Sequence, residues 1–227
     1  MSIAENITIV REKMESACLR SGRPAGDVRL VAVSKYMDTG KIAEAVEAGL
    51  NEFGENHAQE LNEKKTFFEQ HGCVVHFIGQ LQTNKIKYVC GFVAMIESVD
   101  RPKLAEALQR RAETLGVTQD VLIQVNIGEE TQKGGVTDVD LDRFADSLAQ
   151  CPNLRLRGLM CVPPDVEAEQ ARAYFRRMRS IFERMRGRTN AFDTLSMGMS
   201  HDFPVAIEEG ATEIRVGTSI FGARDQK

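Results

Sequence analysis

No run of about eighteen apolar residues occurs in the chain, the length a membrane-crossing helix needs. No segment concentrates Lys and Arg either. The 29 basic and 33 acidic residues leave a net charge of −4. Bulk nucleic-acid binding rests on clustered positive charge and is excluded. The five cysteines, Cys18, Cys73, Cys90, Cys151 and Cys161, are scattered, odd in number and without a CxxC pair. That excludes a disulfide framework and a zinc site, and it leaves buried thiols in a reducing cytoplasm as the expectation. GxSxG, P-loop and GxGxxG motifs are missing. No HxxxH or HxH spacing occurs, and "GVTDVDLD" at 135–142 lacks the Ca²⁺-loop pattern, so no metal site is expected. No Pro- or Gly-rich linker divides the chain, so residues 1–227 are expected to form one domain. The opening "MSIAENITIVREKMESACLR" carries Glu5, Glu12 and Glu15 and reads as neither a signal nor a transit peptide.

What is present is periodicity. Hydrophobic residues make up 42% of the chain, enough for a sizeable core. Ile3, Ile7, Val10, Met14 and Cys18 repeat at helical spacing and predict an opening helix. Short apolar runs then alternate with amphipathic segments: "VRLVAVS" (28–34), "NEFGEN" (51–56), "CVVHFIG" (73–79), "FVAMIESV" (92–99), "DVLIQVNI" (120–127), "LRLRGLMCV" (154–162), "DTLSMG" (193–198) and "TEIRVG" (212–217). The clearest helix carries Ala171, Tyr174, Phe175, Met178, Ile181, Phe182 and Met185. A short helix is expected around Ile86 and Val89. This alternation predicts an α/β chain folded as a single (β/α)8 TIM-like barrel with an extra N-terminal helix. A doubly wound open sheet alternates in the same way and is the rival.

In either architecture a site belongs at the C-terminal ends of the strands. Lys35 stands there, at the end of "VAVSK". Apolar neighbours desolvate an ammonium and favour the neutral amine, which attacks aldehydes. Position alone favours the plainer reading, a rim lysine whose head reaches water. "IRVGTSIFGAR" (214–224) places Gly217, Thr218 and Ser219 after the last strand, where barrels often hold phosphate; an ordinary helix cap explains the same residues. Arg215, inside that strand, needs a carboxylate or a ligand atom as acceptor. "LSMGMSHDF" (195–203) supplies a glycine between serines, suited to a phosphate cradle or to a plain turn. His76 reads as a satisfied core histidine. "RRMRSIFERMRGR" reads as a solvated helix face.

The motifs "VAVSK", "FGEN", "HFIGQLQTNK", "LRGLM", "LSMGMS" and "IRVGTSIFGAR" occur in one order along nearly the whole chain. Together they resemble the pyridoxal phosphate homeostasis proteins, a family similar to the barrel domain of alanine racemase standing alone, a fold-type III barrel. The resemblance implies a pyridoxal 5'-phosphate cofactor held as a Schiff base on Lys35. It places Ser196, Met197, Ser200, Gly217 and Thr218 around the phosphate, Arg215 against the pyridine nitrogen and Asn56 near the ring. Some positions depart from the pattern: Tyr36 and Met37 follow the lysine, Gln80 and His201 stand at the rim, and "NIGEETQKGGV" is a variant segment containing Lys133.

The function implied is intracellular homeostasis of the cofactor without catalysis, with delivery to pyridoxal phosphate-dependent apoenzymes. No nucleic-acid or membrane partner is expected; a cytoplasmic monomer is. The alternative is a weak amino-acid racemase or lyase. A racemase of this fold type adds a tyrosine base from a second domain. Here Tyr36 adjoins Lys35 but is expected on the opposite strand face, and Tyr88 and Tyr174 fall on helices.

Overall fold

The computed structural model describes residues 1–130, Gln132 and 134–222. The chain opens with α1 (Ile3–Arg20) and continues β1 (Arg29–Val33), α2 (Thr39–Glu47), β2 (Glu52–Glu55), α3 (Ala58–Gln70), β3 (Val74–Phe77) and β4 (Met95–Val99). Next come α4 (Pro102–Leu115), β5 (Gln119–Val125), α5 (Asp138–Leu148), β6 (Leu154–Cys161) and α6 (Ala168–Met185). The last elements are β7 (Thr194–Ser196), α7 (Phe203–Glu208), β8 (Glu213–Val216) and α8 (Thr218–Phe221). All strand pairs are parallel, and the sheet closes on itself because β8 pairs with β1. The closure decides for the barrel against the open sheet.

Helix α1 begins at a capping box. Ser2 accepts from the Glu5 amide at 3.2 Å and its own amide donates to Glu5 Oε2 at 2.7 Å. Its buried face is Ile3, Ile7, Val10, Met14, Ala17 and Cys18, packed on α7 and α8. Helix α6 buries Ala171, Phe175, Met178, Ile181, Phe182 and Met185; of the residues its periodicity selects, Tyr174 alone is half-buried. The helical expectation around Ile86 is met by a 3₁₀ stretch, Thr83–Tyr88, not by an α-helix. Strand β4 starts at Met95, later than its apolar run, because Phe92 and Val93 donate to the Val89 carbonyl in a turn.

Alternation along the strands splits the barrel into two environments. Ala32, Phe53, Phe77, Ile96, Leu195 and Ile214 join the main core between sheet and helices. The opposite parity faces the interior. One side of that interior is apolar, with Met95, Leu122 and Met160 in a separate cluster. The other side is polar: His76, Glu97, Ser196, Glu213 and Arg215 are all buried. Buried charge is tolerated only when it is paired and hydrogen-bonded, and this polar half leads directly to the rim. Among the described residues no helix is long and apolar enough to cross a membrane. The five cysteines are free, and all but Cys73 are buried.

Candidate functional site

Lys35 is half-buried in the turn after β1, and the residue before it is clamped. The Ser34 amide donates to the Gly54 carbonyl at 3.0 Å and its hydroxyl donates to Glu55 Oε1 at 2.7 Å. Its carbonyl accepts from Lys64 Nζ at 2.8 Å. Lys64 also donates to Glu55 Oε1 at 2.9 Å and to Glu60 Oε1 at 2.7 Å. Glu60 Oε1 in turn accepts the Tyr36 amide at 2.5 Å. A buried ammonium thus ties the chain on both sides of Lys35 to α3. Burial pushes the Glu55 carboxyl above the usual range, and Lys64 and Ser34 pull it back. Lys64 is a residue the sequence reading missed. Its signal is position: it lies three residues after Leu61 and four before Phe68, on the apolar face of α3.

The expectation that Tyr36 faces away from Lys35 is corrected. Both residues lie past the strand, and Tyr36 adopts φ +65°, so strand alternation no longer applies. The Tyr36 hydroxyl lies 2.8 Å from His57 Nε2, with ring centroids 5.0 Å apart. Both side chains line a cavity of about 440 Å³ together with Lys35, Asn56, Gln80 and Lys85. Asn56 Oδ1 is buried there with no hydrogen-bond partner among the described residues. Gly79 permits this arrangement, because a Cβ on it would stand 2.1 Å from the Asn56 carbonyl oxygen.

On the other side of β1, Ser200 Oγ accepts the amides of Gly217 at 3.1 Å and Ser219 at 3.3 Å. Ser219 Oγ donates to the Ser200 carbonyl at 3.2 Å. These converging amides form a cradle whose acceptor is at present a hydroxyl. Gly217 sits against β1, where an added Cβ would come within 3.3 Å of Val33 Cβ, so a larger residue would close the gap. Thr218 and Ser219 also line a separate cavity of about 400 Å³ beside Asn6 and Phe203.

Arg215 is buried, paired in register with Val31. Its Nη2 donates to the Cys161 carbonyl at 2.8 Å and its Nη1 to Ser196 Oγ at 2.5 Å. Ser196 Oγ donates to Glu97 Oε2 at 2.6 Å, and Glu97 Oε1 meets His76 Nδ1 at 2.9 Å. His76 Nδ1 also lies 3.6 Å from Glu213 Oε2. Burial alone would lower the His76 pKa, but Glu213 and Glu97 outweigh it and raise it to about 10. His76, Glu97 and Glu213 are the one group among the described residues whose spacing suits a metal ion. Its own imidazolium already supplies the positive charge, and guanidinium groups flank it at Arg29 and Arg215. The core histidine expected from sequence is therefore the cation of this cluster.

The likeness to known proteins agrees with the geometry. Residues 2–225 match the family model described as "Alanine racemase, N-terminal domain". The chain is 43% identical over 226 residues to the pyridoxal phosphate homeostasis protein of Aquifex aeolicus, with 99% of each chain covered. It is 42% identical over 229 residues to the protein of that name from Escherichia coli, covering 98% of this chain and 97% of the relative. The chain belongs to the pyridoxal phosphate homeostasis protein family. PipY of Synechococcus elongatus, solved with pyridoxal phosphate bound, superposes with a TM-score of 0.82 at 36% identity, covering 97% of this chain and 100% of PipY. Alanine racemase of Corynebacterium glutamicum shares the fold, with a TM-score of 0.70 at 17% identity over 99% of this chain and 61% of the racemase.

Within this family fold the motif residues separate into groups. "VAVSK", "FGEN" and "IRVGT" end β1, β2 and β8; β1 lies between the other two, although β8 comes from the far end of the sequence. Lys35 and Asn56 share one cavity, and Ser200 and Gly217 share the cradle next to Val33. Ser196 and Met197 are not in that cradle. The Ser196 hydroxyl turns into the barrel towards Glu97 and Arg215. Met197 is fully buried, and its amide donates to the Glu213 carbonyl at 3.1 Å. Lys133 lies outside the described residues.

Proposed function

We propose that this protein binds pyridoxal 5'-phosphate at the rim above β8, β1 and β2, retains it through Lys35, and serves its intracellular homeostasis, not turnover. The observation that carries the reading is the convergence of Lys35, Asn56, Gly217 and Arg215 on three adjacent strands. The residues fit the group. Asn56 Oδ1 is a buried acceptor awaiting a donor, and Gly217 leaves room beside Val33. The Ser200 cradle offers two amides to an anion. The bound cofactor supplies an aldehyde for an amine and a pyridine ring that withdraws electrons.

The residues of this chain set the balance between retention and chemistry. Ser34 and Lys64 fix the backbone from which the Lys35 amine projects. Arg215 carries only donors, so it would disfavour a proton on a ring nitrogen facing it. An unprotonated ring would be a weaker electron sink, which favours retention over carbanion chemistry. Delivery to apoenzymes, a monomeric state and residence in the cytoplasm belong to the same reading. One observation favours a second reading, weak racemase or lyase activity: the Tyr36–His57 pair lines the cavity with Lys35 and is a candidate for proton transfer.

Visible absorption of the purified protein mixed with pyridoxal phosphate tests the proposal. The wild-type protein should turn yellow with one equivalent, and Lys35→Ala should stay uncoloured. Equal colour in both would contradict it. Turnover of L-alanine by the loaded wild-type protein, lost in Tyr36→Phe, would favour the second reading.

A further inference from the structure

Among the described residues, Arg215 makes its one ion contact with Glu97, Nη1 to Oε2 at 3.8 Å. Ser196 stands between the two. Its hydroxyl donates to Glu97 at 2.6 Å and accepts from Arg215 at 2.5 Å. A hydroxyl has one hydrogen, so giving it to Glu97 turns the oxygen lone pairs towards the guanidinium. Glu97 is fixed in turn by His76 at 2.9 Å, and His76 lies 3.6 Å from Glu213. Glu213 meets Arg29 at 3.2 Å, and Arg29 meets Glu52 at 3.2 Å at the opposite mouth of the barrel. A chain of hydrogen bonds and ion pairs therefore crosses the interior from floor to rim.

We propose that Glu97 is a positioning residue for Arg215, aiming its guanidinium at the cofactor ring through Ser196. The inference rests on the proposed function, in which Arg215 faces the ring nitrogen. The charges along the chain support it. Imidazolium His76 and carboxylate Glu213 balance each other, and Arg29 balances Glu52. Glu97 is fully buried; burial and the adjacent Glu213 push its carboxyl above the usual range, and His76 and Arg215 act the other way. Both of its oxygens accept, Oε1 from His76 and Oε2 from Ser196, so it reaches Arg215 through the Ser196 hydroxyl. At 3.8 Å the carboxylate steers the guanidinium without a direct hydrogen bond, which leaves N–H groups of Arg215 for a ligand.

The test uses full-length protein loaded with pyridoxal phosphate, and compares wild type with E97A, E97Q and S196A. The readouts are the pH midpoint of the visible absorption band, the rate of cofactor release and the Tm. E97A should move the midpoint by about one unit or more and speed release about tenfold, the same free energy read two ways. E97Q keeps one side-chain oxygen to accept from Ser196 and should recover part of both. S196A removes the bridge and should shift both in the same direction by less; it carries the test if E97A does not fold. A lowered Tm with unmoved midpoint and release rate in E97A and S196A would overturn the proposal. So would E97Q behaving like E97A. If borohydride fails to fix cofactor on Lys35 in the wild type, the pocket reading falls and this inference with it. Normal fixation on Lys35 with unmoved midpoints sinks the inference alone.

Discussion

Replacing Lys64 with Met should uncouple the rim lysine from its support. The substitution keeps an unbranched side chain of similar length and removes the charge and three hydrogen bonds, to Ser34 O, Glu55 and Glu60 at 2.7–2.9 Å. Glu55 is fully buried and would lose its cation. Breaking a buried pair by removing one partner costs roughly 3–5 kcal/mol. The loss at Ser34 is not added, because the contacts share one donor and are not independent. The pH dependence comes from Glu55. Its carboxyl already lies above the usual range through burial, and without Lys64 it rises further. An acid with a raised folded pKa binds more protons folded than unfolded, so stability falls as pH rises through the window between the two values. The penalty for Lys64→Met should therefore be larger at pH 8 than at pH 5, and adding Glu55→Gln should relieve part of it. Urea denaturation at both pH values measures this, with the rate of borohydride fixation of cofactor on Lys35 as the functional readout. A loss under about 1 kcal/mol, equal at both pH values, with unchanged fixation, would refute the reasoning.

The buried histidine gives a second pH signature. His76, at about 10 when folded against about 6.5 unfolded, contributes stability that is complete below the unfolded value and lost as pH rises through the folded one. His76→Gln should cost roughly 3–5 kcal/mol at pH 7, and denaturant midpoints should converge on wild type by pH 11. Gly79→Val should force the Asn56 backbone aside, given the 2.1 Å approach of even a Cβ, and should lower Tm and cofactor affinity together in thermal and absorbance titrations. Alkylation of native protein with iodoacetamide at pH 8, read by mass spectrometry, should modify half-buried Cys73 first and spare Cys161, whose thiol burial pushes up to about 12.

Much of the barrel is legible in the sequence because each strand announces itself by an apolar run, and α1 and α6 by spacing of three and four. Closure is less legible. Nothing in "TEIRVG" says that it pairs with "VRLVAVS", except the count of strands and the need to bury two edges. Strand ends blur where turns intrude, as at Phe92, whose apolar neighbours suggest strand while its amide bonds back to Val89. At the site, Lys35, Asn56, Gly217 and Arg215 are found by position at strand ends and by family motif. Ser196 illustrates the limit. Its motif suggests phosphate, and two-residue alternation from Thr194 points its side chain inward, where it bridges Glu97 and Arg215. Lys64 and Glu97 escape because buried charges need partners distant in sequence, and a single chain does not display those pairings. Tyr36 escapes because its left-handed backbone breaks the strand alternation that would turn it away from Lys35.

The most direct test of the central claim is where the cofactor attaches. The protein is incubated with one equivalent of pyridoxal phosphate, reduced with borohydride, digested and mapped by mass spectrometry. The label should fall on the peptide containing Lys35 at near-stoichiometric yield. No label, or label spread over exposed lysines such as Lys13 and Lys103, would contradict it.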